Sequence, residues 1–121
     1  MIVEQRLYTY HPGNLDAFIE LYRTEGMPAQ MRHLPALLGY YVAEIGALNQ
    51  TVTLWGYESL QQRTECREAL FADAAWKAFL AKARPLMQAQ ECRILKPAPF
   101  FRDRLADLIA GARGLDLSGR A

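Results

Sequence analysis

Glu4, Arg6 and Tyr8 recur at every second position near the start of the chain, the spacing that places side chains on one face of a β-strand. Tyr40, Trp55 and Tyr57 fall in the same way on one face of a pair of extended segments. Together these six would line a pocket with an apolar floor and a few polar groups, which is the make-up of a small-molecule site. His33, in Arg32-His33-Leu34, stands where such a pocket would open, and an imidazole there could act as a general base or a metal ligand. The same residues also fit a structural arrangement. Glu4 and Arg6 would then satisfy Arg93 and Glu91 across two strands, the aromatic rings would fill a sheet interface, and His33 would hydrogen-bond a loop end. His11, beside Pro12-Gly13, reads as a solvated turn residue.

The patterns of several reaction classes are absent. The two histidines form no HxH or HExxH motif, and Cys66 and Cys92 lack CxxC spacing, so neither a metal nor a cofactor is expected. A haem on His33 would need an apolar distal pocket that no segment supplies. The lack of a GxSxG elbow, a glycine-rich phosphate loop and a GxGxxG turn removes hydrolase, kinase and dinucleotide-binding readings. With 14 basic and 13 acidic residues interspersed, there is no electrostatic footprint for nucleic acid. No apolar run approaches the ~20 residues of a membrane span. The opening MIVEQRLYTY has no basic flank followed by an apolar segment, so the expected location is the cytoplasm. The two cysteines read as half-buried thiols, and a disulfide between them stays open at this stage.

These side chains need elements to hold them. Residues 2–10 alternate Ile2, Glu4, Arg6, Tyr8 and Tyr10 with Val3, Gln5, Leu7 and Thr9, a period of two that predicts a strand. His11-Pro12-Gly13 breaks it, and Asn14 is the candidate N-cap of a helix with Leu15, Phe18, Ile19 and Tyr22 on its buried face and Gly26 at its left-handed end. A short helix is predicted between Pro28 and Pro35. LLGYYVAEI and QTVTLWGY, joined by GALN, predict a hairpin in which Ile45 faces Gln50 and Tyr40 faces Trp55.

Ser59 and Gln62 form a capping-box pattern for a further helix reaching about Asp73, which can itself cap AAWKAFLAKARPLM, kinked at Pro85. Residues 90–96 return to a strand, paired with the first so that Glu4 faces Arg93 and Arg6 faces Glu91. The order βαββαβ gives an α+β, ferredoxin-like domain over residues 1–99, a four-stranded antiparallel sheet with its helices on one face. The other face is apolar and aromatic, which predicts that two copies pack sheet to sheet as a homodimer. Residues 100–121 form an extension with a short helix carrying Phe101, Leu105, Leu108 and Ile109, then a frayed end.

The runs MIVEQRLYTYHPG, RHLPALLGYYVAEIGALNQ, TLWGYESL and AWKAFLAKARPLMQAQECRILKPAPF resemble the NIPSNAP family over roughly residues 1 to 100, most specifically in EIGALNQ and LWGYESL. The resemblance implies a dimeric α+β barrel, an architecture shared with antibiotic-biosynthesis monooxygenases, haem-degrading proteins and muconolactone-isomerase-like enzymes. A His often precedes the Leu-Trp pair in the family; Thr53 stands there in this chain, so no role of that His carries over. Mitochondrial members act as adaptors in organelle turnover and trafficking, whereas fold alone carries no activity. Two functional expectations follow: a non-catalytic homodimeric binding or adaptor module, or a cofactor-independent monooxygenase or isomerase on a small aromatic or polyketide-like substrate.

Overall fold

Alternation along the first strand and helical periodicity in the two crossovers produce the βαββαβ order seen in the structure, a computed structural model that describes residues 1–115, 117 and 119. The elements are β1 (Ile2–Tyr10), α1 (Leu15–Leu21), α2 (Met27–Met31), β2 (Ala36–Val42), β3 (Gln50–Tyr57), α3 (Leu60–Ala72), α4 (Ala74–Ala83), β4 (Met87–Leu95) and α5 (Arg102–Ala112). The strands form one antiparallel sheet in the order β2-β3-β1-β4, the ferredoxin-like arrangement. The main core lies between its inner face and the crossover helices, where Tyr10, Phe18, Trp55, Tyr57, Leu70 and Phe79 are all buried.

Two caps form as the sequence predicts. Ser59 Oγ accepts from the Gln62 amide at 3.1 Å while Gln62 Oε1 accepts from the Glu58 amide at 2.7 Å, so α3 starts with a reciprocal cap. Asp73 Oδ1 accepts from the Ala75 amide at 2.8 Å and starts α4. Asn14 behaves otherwise: its backbone is already helical, so its side chain makes no cap bond and donates instead to the Leu86 carbonyl at 3.4 Å.

Gly26 does not end a helix. The first crossover runs unbroken from α1 through a π-helical turn, Tyr22–Gly26, into α2, and Gly26 has a helical φ of −76°. Its lack of a side chain serves packing, because a Cβ there would lie 2.8 Å from the Phe79 and Tyr22 rings. Pro85 does not kink a continuing helix either. Its missing N–H stops α4 at Ala83, and a short 3₁₀ turn, Arg84–Leu86, leads into β4 three residues earlier than the sequence suggests.

Both predicted registers are corrected. In the hairpin Tyr40 faces Thr53 and Leu37 faces Trp55, because the connection spans 43–49, with Gly46 and Asn49 at positive φ, and a bulge follows Leu37. Between β1 and β4 the pairing is slipped by one: Glu4 faces Ile94 and Arg6 faces Cys92, while Arg93 and Glu91 face Gln5 and Leu7. A slip of one sends every side chain to the other face. Glu4 and Arg6 therefore point inward to the helices, and Arg93 and Glu91 lie exposed on the outer face.

The outer face is partly covered by the chain's own C-terminal helix. Leu105, Ile109 and Ala112 of α5 pack on Ala36, Val3 and Leu38, forming a second small core. The frayed end expected after α5 falls largely on positions 116, 118, 120 and 121, which lie outside the described residues. Close approach of α5 depends on Gly56, where a Cβ would stand 2.6 Å from Ile109 Cγ1. Gly56→Ala should therefore lower the free energy of unfolding by about 1–3 kcal/mol, measured by urea denaturation, with faster proteolysis within α5. An unchanged midpoint would mean that α5 contributes nothing to the fold.

Candidate functional site

The inward alternation of β1 carries a carboxylate into the protein interior, where Glu4 has no exposed surface. An ionised carboxylate in that position needs positive partners. Arg63 Nε donates to Glu4 Oε2 at 2.7 Å, Arg6 Nη1 lies at 3.4 Å from the same oxygen, and Cys92 Sγ donates to it at 3.0 Å. Arg67 Nη1 stands 3.9 Å from Oε1, an oxygen that accepts no hydrogen bond among the described residues. Burial alone would raise the Glu4 carboxyl, but the bonds from Cys92 and Arg63 and the charges of Arg6 and Arg67 outweigh it and hold the group below its ordinary range. Burial, then the neighbouring Glu4, pushes the Cys92 thiol up, so it serves as a neutral donor. Both cysteines are free, which settles the open question of a disulfide.

Beside this cluster a cavity of about 90 Å³ opens between the sheet and the helices. Arg6, Tyr8, Tyr40 and Trp55 line it, with Phe18, Tyr22, Trp76 and Phe79 as further aromatic walls. Arg6 Nε donates to the Tyr8 hydroxyl at 2.9 Å, and the guanidinium lies 5.4 Å from the centre of the Tyr8 ring. Tyr22 and Tyr40 have ring centres 5.0 Å apart, and the Tyr22 hydroxyl donates to Gln30. Thr53, in register with both Arg6 and Tyr40, also lines the cavity. Burial pushes the phenols of Tyr10, Tyr40 and Tyr57 well above their ordinary range, so all three stay neutral.

The remaining candidates lie elsewhere. Tyr57 is fully buried behind the cluster, and its hydroxyl makes no hydrogen bond among the described residues. Arg93 is on the opposite face of the sheet. His33 is absent from the cavity wall. Its Nε2 meets Asp73 Oδ2 at 2.8 Å, and Arg32 donates to the same oxygen at 2.9 Å, so the pair ties the end of the first crossover to the start of α4. These bonds, His33 first, hold the Asp73 carboxyl far below its ordinary range. Among the described residues no cluster of His, Cys, Asp and Glu suits a metal ion.

Sequence reasoning missed Arg63 and Arg67. A signal was present: after its cap, α3 places Arg63, Cys66, Arg67 and Leu70 at the spacing of one inward stripe, and Leu70 is its only fully buried residue. An inward stripe with two arginines requires a buried anion, and the period-two face of β1 offers only Glu4.

Replacing the carboxylate should be costly. Glu4→Ala leaves three guanidiniums facing one another in a largely dry site and should destabilise the fold by about 3 kcal/mol, read from chemical denaturation; a loss under about 1 kcal/mol would mean that the cluster is well solvated. The depressed Glu4 and Asp73 carboxyls also fix a pH dependence. Each contributes stability above its unfolded value, near pH 4, and loses it as pH falls toward the lower folded value. Stability should fall steeply below about pH 4.5 and less steeply in Glu4→Gln, where one linked proton is gone.

Comparison with known proteins places this geometry. The NIPSNAP family model matches residues 3–102. Protein NipSnap of Drosophila melanogaster is 30% identical over 99 residues, 82% of this chain and 36% of the fly protein. Human NipSnap homolog 3A is 31% identical over 102 residues, again 82% of this chain and 40% of the relative, so the chain spans about two fifths or less of these curated relatives. Among solved structures, a NIPSNAP family protein from Agrobacterium tumefaciens is 40% identical with a TM-score of 0.80, covering 82% of this chain and 94% of that one. A NIPSNAP domain protein from Burkholderia xenovorans is 34% identical with a TM-score of 0.79, covering 83% and 97%. An antibiotic biosynthesis monooxygenase shares the fold alone, at 15% identity and a TM-score of 0.58, covering 82% and 100%. By the family match and these relatives, the chain belongs to the NIPSNAP family.

Proposed function

We propose that this chain is a non-catalytic, homodimeric binding module of the cytoplasm that holds a small ligand with an apolar or aromatic body in the cavity between its sheet and helices. The observation that carries the reading is a cavity with aromatic walls and arginine donors in which no described side chain is poised to take a proton. Glu4 is ionised and engaged by its arginines, the buried tyrosines are held neutral, and His33 is bonded to Asp73 outside the cavity. A monooxygenase or isomerase acting without a cofactor would need such a base. The cavity's volume is below the roughly 150 Å³ that receives a benzene ring, so the ligand is small or extends through the mouth, where Phe71 and Arg84 are exposed.

The homodimer is supported by what the single chain leaves uncovered. Beyond α5 the outer face carries half-buried Leu7, Val52 and Leu54 and exposed Tyr41, and β4 is an edge strand exposed along nearly all its length. Such an edge is an association hazard unless it is covered. The two free thiols suit a reducing compartment, and no described helix is long and apolar enough to cross a membrane.

Both halves of the proposal are open to measurement. In analytical ultracentrifugation the protein should sediment as a dimer and Val52→Glu as a folded monomer; a wild-type monomer at high concentration would reject the dimer. Benzoate or benzamide should shift the indole signals of Trp55 and Trp76 in two-dimensional NMR, and Leu80→Trp, which fills the cavity beside Phe79, should abolish the shift. No shift with either compound would reject a cavity that binds ligand.

A further inference from the structure

The positive charge around the cavity exceeds what the described residues neutralise. Three guanidiniums, Arg6, Arg63 and Arg67, surround one carboxylate, which leaves two positive charges over. Arg63 and Arg6 are bonded to Glu4, so their charge has a direct partner. Arg67 is held more loosely, by an ion pair of 3.9 Å to Glu4 Oε1 with no hydrogen bond to any described residue, although it is only 18% exposed. A guanidinium carries five donors, and withdrawing them from water without a partner is costly.

That group faces the cavity. Arg67 and Arg6 both line it, Arg67 has its guanidinium 5.3 Å from the centre of the Phe71 ring at the mouth, and Arg84 stands at the same mouth without an ion-pair partner among the described residues. No acidic side chain is among the described lining residues. The cavity is therefore cationic on one side and aromatic on the others, a polarity that selects for charge as well as shape.

Resting on the reading of this cavity as a ligand site, we infer that its ligand is a small organic anion, a carboxylate or phosphate on an apolar or aromatic body. The head group is taken by Arg67, with Arg84 at the mouth; a small body stands against Tyr40 and Trp55, and an aromatic one extends outward past Phe71. A planar guanidinium with free donors receives a carboxylate or phosphate through two parallel bonds. Consistent with this, burial and then the like charge of Arg6 hold Arg67 below the ordinary guanidinium range, a disfavoured state that a bound anion relieves.

Benzoate and benzamide have nearly the same shape and differ in charge, and both tryptophans of the chain line the cavity, so their fluorescence can report binding. At low ionic strength the full chain should bind benzoate or phenyl phosphate about tenfold or more tightly than benzamide, the whole-chain consequence of a charge-assisted contact. Whichever of the two anions binds more tightly identifies the head group as carboxylate or phosphate. The preference should shrink as salt is raised, a test that needs no variant. Arg67→Gln should collapse the benzoate-to-benzamide ratio, while Arg113→Gln, whose side chain pairs with exposed Glu58, should leave it intact. Equal affinity for benzoate and benzamide in the wild-type chain would overturn the charge inference and leave the binding cavity standing. Failure of all three compounds to bind would overturn both.

Discussion

A carboxylate with no exposed surface, on the central strand of a four-stranded sheet, sets the terms for much of this molecule. Glu4 can stay ionised there only if cations reach it from the helix layer, and α3 provides them by turning Arg63 and Arg67 inward where an ordinary amphipathic helix would turn leucines. That substitution explains why α3 buries so little apolar surface of its own. The one-residue offset of β4 against β1 fits the same demand, since it brings Cys92 rather than Arg93 to the inner face beside Glu4.

The same constraint connects the interior of the fold to its cavity. Arginines brought in for one carboxylate overshoot it, and the excess lies on the side of the cavity that the aromatic rings of α1, α4 and β3 leave open. Structure and site are thus not separate layers added one to the other. The cluster holds α3 against the sheet, and its unneutralised part gives the cavity its charge.

Much of the architecture was legible in the sequence because local rules agreed with the final fold. The alternation of Ile2, Glu4, Arg6, Tyr8 and Tyr10, the Ser59–Gln62 cap and the Asp73 cap each depend on neighbours a few residues away, and each formed. The misreadings involve longer range or competing solutions. Charge complementarity between β1 and β4 is satisfied on paper by a register one residue away from the real one, because Arg93 and Glu91 mimic the partners that α3 supplies. Gly26 looks like a helix end until the Phe79 ring, more than fifty positions along the chain, is seen to require its missing side chain. Tyr8, Tyr40 and Trp55 were placed at the cavity by periodicity alone, whereas Arg67 depends on a helix packing that no local pattern states outright.

The π-helical turn at Tyr22–Gly26 gives the first crossover a particular tolerance to changes in length. There the Met27 amide bonds back to the Tyr22 carbonyl, five residues earlier, and the wider turn keeps Tyr22, Gly26 and Gln30, spaced by fours, on one buried line. An ordinary α-helix gains about 40° over each such step and would carry the last of them off that line. Loss of a single codon between Tyr22 and Gly26 would turn the bond between the Tyr22 carbonyl and the Met27 amide into an ordinary helical one, leaving Gln30 seven residues past Tyr22, about 20° off that line, and so still on the cavity wall. One codon lost from this stretch therefore shortens the crossover while leaving the cavity and the sheet as they are, a length change that an ordinary helix would not absorb.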